Sequence, residues 1–188
     1  MITTSQDDSG ETKTLSGESV SKGSLIIECM GCTDELSSLV ALLRLKLMDE
    51  MPQEKDISEF LFWILHALFA TGSRISDPHA RSTERGVPLT EKHLLKLESQ
   101  MKLLEKSLNL PKSFIVSASN PISAASDIVR TRVRTLERRV VLLKDENPDF
   151  KLKTILVFLN RLSDYFFILA RYLDGENVTT VNYSLLNH

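Results

Sequence analysis

An all-α bundle of five helices with an irregular N-terminal arm is the fold this sequence predicts, on three observations. Apolar residues recur at spacings of three and four through most of the chain. No stretch carries a convincing period-two strand pattern. Links rich in Pro, Gly and polar residues cut the helical pattern into five stretches. The arm is residues 1–23, the bundle 24–172 and a C-terminal tail 173–188. The chain has 188 residues, 42 % of them apolar, which suits one domain with a sizeable core. A net charge of −2 offers no field for nucleic acid or an anionic membrane. No apolar run is long enough to cross a bilayer. The first residues are rich in Ser, Thr, Asp and Glu, the composition of neither a secretory signal nor a transit peptide.

By composition the arm is a polar, disordered loop. The first helix is read over residues 33–50, with Thr33 as N-cap, Asp34 and Glu35 at the positive end of the dipole, and Leu36, Leu39, Val40, Leu43 and Leu47 inward. Cys29 and Cys32 precede it in the string CMGC. A zinc half-site would need two more ligands, and a redox pair would need a βαβ setting. Neither is present, so two free thiols and no metal site are expected. After a linker at 51–56, a second helix spans 57–76, with Phe60, Leu61, Ile64, Leu65, Leu68 and Phe69 apolar. His66 is a packed or surface histidine, and Gly72 lets two helices approach closely. Residues 77–88 are a surface loop. A third helix runs 90–109 from a cap at Thr90, with His93 facing solvent. Residues 110–119 are an extended segment whose Phe114 reads as an apolar plug into the bundle.

The most informative stretch is 120–172, two long helices each opened by Asn-Pro, at Asn120-Pro121 and Asn147-Pro148. The fourth helix has an apolar stripe of Ile122, Ala125, Val129, Val133, Leu136, Val140 and Leu143. Beside it Asp127, Arg130, Arg134, Glu137 and Arg138 share one face. The fifth helix is apolar nearly all round, hence central, yet Asn160, Asp164 and Arg171 align on one side. Buried polar groups need partners, and the facing arginines are the expected ones. The cluster is either an ion-pair network lining the core or a ligand-holding face. No Ser-His-Asp or Cys-His grouping and no pair of buried carboxylates points to hydrolysis.

The string ERRVVLL followed by FLNRLSDYFFILARY resembles the C-terminal half of the ATP:cob(I)alamin adenosyltransferases of the trimeric five-helix-bundle type, the animal enzymes foremost. The likeness spans roughly residues 4–172. It implies transfer of the 5′-deoxyadenosyl group of ATP to cob(I)alamin, with Mg2+, in a homotrimer that holds ATP between neighbouring subunits. It also implies a mitochondrial matrix setting, with cytoplasm as the alternative, and hand-over to an adenosylcobalamin-dependent enzyme. A non-catalytic ATP- and corrinoid-binding bundle active in cobalamin delivery is the second functional reading.

By the same resemblance, the arm matches a Thr-(Lys/Arg)-Thr-Gly-Asp-x-Gly pattern with Thr4, Asp8 and Gly10 in register. Ser5, Gln6 and Asp7 depart from it. Thr12, Lys13, Gly17, Glu18 and Lys22 continue the phosphate-wrapping segment. Arg134, Thr135, Glu137, Arg138 and Asn160 complete the implied ATP site. Thr135 stands where the family has a second arginine, which removes a charge-assisted phosphate contact. The implied corrinoid residues are Phe114, Asp34, Arg130 and Asp164, with Asp34 a salt-bridge partner for Arg130 across a subunit contact. Phe114 would lie under the corrin ring and help exclude the lower axial ligand of cobalt. Ser117-Ala118-Ser119 replaces the Pro-x-Gly that follows it in the family.

Overall fold

The computed structural model describes residues 9–79 and 88–187. Five helices follow in order: α1 (Leu25–Glu50), α2 (Lys55–Ser76), α3 (Glu91–Glu105), α4 (Pro121–Glu146) and α5 (Lys153–Asp174). A hairpin of β1 (Glu11–Lys13) and β2 (Ser19–Ser21) precedes them, and a 3-10 turn, Tyr183–Asn187, follows. The arm is therefore ordered from residue 9 onward, where composition suggested an irregular loop. No helix among the described residues is long and apolar enough to cross a membrane.

The apolar sequence of α5 makes it the core element: Phe158, Leu159, Leu162, Phe166 and Leu169 are all fully buried. It packs on α4 and α3, while α1 packs on α4 and α2. Phe60 of α2 meets Tyr165 of α5 edge-on at 5.1 Å and closes the circuit. Side-chain pairs fix the directions. Glu28 and Glu35 of α1 meet Arg139 and Arg132 of α4, so those helices are antiparallel. Small residues let α4 approach α5: Ser123 and Ser126 are fully buried, and the Ser126 hydroxyl donates to the Phe166 carbonyl at 3.0 Å.

Helix boundaries depart from expectation at three places. α1 begins at Leu25, two turns before Thr33. The stripe continues upstream through Leu25, Cys29 and Cys32, because a buried cysteine packs as a small apolar residue, and exposed Gly31 costs the helix only about 1 kcal/mol. Thr33 is buried and its hydroxyl donates to the Cys29 carbonyl at 2.8 Å. Burial, then the neighbouring Cys32 and Glu28, pushes the Cys29 thiol up to about 12. The Cys32 thiol is raised too, by burial and then by Glu28. α5 begins at Lys153 rather than at Asn147-Pro148; Asn147 caps the C-terminus of α4 instead. α3 stops at Glu105.

His93 does not face solvent. It is half-buried, its Nδ1 accepts from the Thr90 backbone N–H at 3.0 Å, and its ring stacks on Trp63. The C-terminal stretch does not simply fray: Thr180 pairs antiparallel with Ile115.

Candidate active site

One polar strip runs along α4 from a dry end to a wet one. At the dry end Asn120 is extended, and its Oδ1 accepts from the backbone N–H groups of Ile122 and Ser123, at 3.0 and 2.9 Å. About two turns on, Asp127 accepts from Arg171 of α5 at 2.7 Å and from Arg130 at 3.0 Å. Asp127, Arg171 and Asp174 are 7, 1 and 3 % exposed. Arg171 Nε lies 2.8 Å from Asp174 Oδ2, but its N–H misses the carboxylate, so that contact is ionic rather than a directed hydrogen bond. Burial pushes the Asp174 carboxyl up; hydrogen bonds from Ser119 and Ser123, then the Arg171 charge, outweigh it and hold the group below its ordinary value.

Towards the C-terminus the strip opens to water. Arg134 and Arg138 are exposed, and Thr135 and Glu137 half-buried. Arg134 has no hydrogen-bond or ion-pair partner among the described residues. Arg138 donates to the Thr135 hydroxyl at 3.2 Å. Asn160 of α5 donates from Nδ2 to Glu137 at 3.2 Å and accepts at Oδ1 from Arg161 at 2.9 Å, so its amide orientation is set by both neighbours. Arg161 is held in turn by Glu98 of α3 at 3.2 Å. A depression of about 580 Å³ lies here, lined by Thr135, Glu137, Arg138, Arg139, Val141 and Leu142.

The structure thus gathers Arg134, Thr135, Glu137, Arg138 and Asn160 on one face. It corrects the expected partners. The polar groups of α5 meet carboxylates of α4, not its arginines: Arg171 takes Asp127 and Asn160 takes Glu137. Asp164 is exposed and sits 4.0 Å from Arg161 on its own helix. Arg130 bonds Asp127 within the chain, and Asp34 is exposed, as a residue pairing across a subunit contact would be in one chain. Two basic residues were not anticipated. Arg139 lies one position off the polar stripe, and Arg161 sits beside Asn160, so periodicity passes over both.

The arm docks elsewhere. The Leu15 N–H donates to the Ser76 hydroxyl at the end of α2, at 2.7 Å. Leu15 then closes a groove of about 390 Å³ between α1 and α2, whose wall includes Asp34, Ser37 and Ser73. Gly10, Thr12, Lys13 and Lys22 all lie on this hairpin; Thr12 pairs with Val20, Lys13 with Ser19, and the Lys22 N–H donates to the Gly10 carbonyl at 2.9 Å. Thr4, Ser5, Gln6, Asp7 and Asp8 lie outside the described residues. Within one chain, α1 turns Met30, Asp34 and Ser37 to the arm's groove and Glu28 and Glu35 to α4, so the arm and α4 lie on different sides of it. Phe114 is 77 % exposed on the segment leading into α4, so it does not plug into the bundle of its own chain.

The same architecture defines a class among solved structures. A variant of the PduO-type ATP:corrinoid adenosyltransferase from Lactobacillus reuteri, complexed with cobalamin and ATP, matches with a TM-score of 0.86 and 26 % identity, over 97 % of this chain and 96 % of that one. The corrinoid adenosyltransferase of Bacillus subtilis is 35 % identical over 176 residues, covering 93 % of this chain and 86 % of that protein. That of Bos taurus is 33 % identical over 177 residues, covering 91 and 70 %. Identity is thus similar to bacterial and animal relatives. Residues 2–173 match the cobalamin adenosyltransferase family, and this chain belongs to it.

Proposed function

We propose that this protein is a corrinoid adenosyltransferase, which transfers the 5′-deoxyadenosyl group of ATP to cob(I)alamin to give adenosylcobalamin and triphosphate. The reduced cobalt of the substrate is the nucleophile. Its electron pair forms the bond to the 5′ carbon as the C5′–O bond breaks, and triphosphate leaves with the electrons of that bond. The protein then needs no nucleophile or base of its own. It must place ATP and disperse the leaving charge.

The observation that carries this reading is the solvent-open face where Arg134 and Arg138 flank a Glu137 held by Asn160. Two guanidinium groups suit a polyphosphate, which they meet with charge-assisted hydrogen bonds. Asn160 is placed to bond the nucleotide's polar edges. No cluster of three metal-ligating side chains exists among the described residues. A single carboxylate beside phosphates is nonetheless the donor set Mg2+ takes, since that ion keeps several waters. Glu137 fits as its protein ligand, and the bound ion would neutralise phosphate charge.

Thr4, Ser5, Gln6, Asp7 and Asp8, with Gly10, Thr12, Lys13 and Lys22, supply the wrapping arm. Because the arm docks on its own α1–α2 groove, the arginine face it serves belongs to a neighbouring subunit of a homotrimer. Leu42, Leu45, Ile128 and Leu142, exposed apolar residues of α1 and α4, support such an association. Phe114, Asp34, Arg130 and Asp164 border the corrinoid. The animal relatives are compatible with a mitochondrial matrix setting, the cytoplasm being the alternative, and with delivery of product to an adenosylcobalamin-dependent enzyme.

A second reading, a corrinoid- and ATP-binding carrier without turnover, rests on Thr135, which offers a hydroxyl where the family has a guanidinium. Supplying reduced cobalamin, ATP and Mg2+ tests both. The enzyme produces the absorbance of base-off adenosylcobalamin. A carrier gives no new absorbance, yet ATP raises its melting temperature. Absence of both effects would sink both readings.

A further inference from the structure

Phe114 is 77 % exposed, so its own side chain does little to hold it in place. The backbone around it is tied at two points, both by the C-terminal end of the chain. At the first, the Val116 N–H donates to the Thr179 carbonyl and the Val181 N–H donates to the Phe114 carbonyl, each at 2.8 Å, around the Ile115–Thr180 bridge. At the second, the Ser119 N–H and hydroxyl donate to Asp174 Oδ1 at 2.8 and 2.6 Å. Asp174 is fixed by buried Arg171, and Asn120 Nδ2 donates to the Leu173 carbonyl at 2.8 Å. Between the ties Ala118 has φ +63°, in the left-handed region. That conformation costs a residue with a Cβ about 1–2 kcal/mol, and it persists where the surrounding structure over-determines it.

We propose that Asp174 and the extended stretch 178–181 are positioning residues for Phe114, fixing the ring before its ligand arrives. That this ligand is the face of a corrin rests on the function proposed above. The physical gain is preorganisation: an exposed ring on a slack segment would have to be ordered at each binding event.

The test uses the full chain and two substitutions at one place. Val181→Pro removes the N–H that bonds the Phe114 carbonyl, and it favours the extended backbone Thr180 already has. Val181→Ala keeps the N–H. Amide hydrogen exchange at Val116 should quicken about tenfold in the proline variant and stay unchanged in the alanine variant. With ATP and cob(II)alamin bound, the fraction of cobalt lacking its lower axial ligand, read by electron paramagnetic resonance, should fall in the proline variant alone, at unchanged ATP affinity. Equal exchange in the two variants overturns the proposal. So does faster exchange with an unchanged axial-ligand fraction. Should the unsubstituted chain take up no cob(II)alamin, the corrinoid reading fails, and the exchange comparison alone decides the positioning.

Discussion

Asp127 and Arg134 stand roughly two turns apart on one face of α4, yet burial gives them opposite work. Asp127 is 7 % exposed and neutralises an arginine sealed in the core. Removing one partner of a buried pair strands the other charge, so Asp127→Ala should cost about 3–5 kcal/mol in urea unfolding. Arg134 is exposed with no partner among the described residues. Arg134→Ala should therefore change stability by no more than about 0.5 kcal/mol. It should weaken ATP binding by about tenfold or more in a calorimetric titration. Comparable losses in both measurements would make Arg134 structural. Asp174 adds a pH signature. Its native carboxyl lies below the ordinary value of 3.8, so the native state binds fewer protons than the unfolded chain. The resulting stability is complete above the ordinary value and is lost as pH falls through the depressed native one. The acid limb of an unfolding profile should accordingly be shallower in Asp174→Asn than in the unsubstituted chain.

The two Asn-Pro pairs show what can be read at the level of a helix and what cannot. Both carry the same N-cap and N1 chemistry, and only Asn120 uses it. Asn120 is extended, at φ −152° and ψ 166°, and caps α4 while also bonding the Leu173 carbonyl. Asn147 donates back to the Leu143 carbonyl at 3.0 Å and ends α4. Proline at 148 bars its predecessor from continuing the helix. The chain then turns, so that fully buried Leu152 reaches the core before α5 starts. Asn120→Ala should cost about 1–2 kcal/mol, measurably more than Asn147→Ala when denaturation midpoints are compared. Periodicity made the five helices and the polar stripe of α4 legible, because each helix buries one continuous face. It could not say which members of the stripe are sealed. That depends on where Ser123 and Ser126 let α5 come close. Nor could it place the arm, which docks through long-range contacts such as that between Leu15 and Ser76, 61 residues apart.

At the scale of the whole molecule, the separation of the arm from the arginine face has a consequence that no single-chain site shares. If Lys22 and Arg134 served one ATP within a chain, two chains each lacking one of them would form no intact site however they assembled. If the site lies between subunits, the arm of one chain meets the arginines of the next around a closed ring. Random mixing of Lys22→Ala and Arg134→Ala chains then pairs an intact arm with an intact arginine face at about a quarter of the interfaces, half multiplied by half. Co-expression of the two variants under different tags, with the mixed assembly isolated through both, makes the comparison direct. ATP bound per chain, or turnover, should recover to about a quarter or more of the unsubstituted level, whereas each variant alone stays near background. Because the two defects lie on different chains, no rearrangement within one chain imitates that recovery. Failure to recover in a demonstrably mixed oligomer would return the nucleotide to a site within a single subunit.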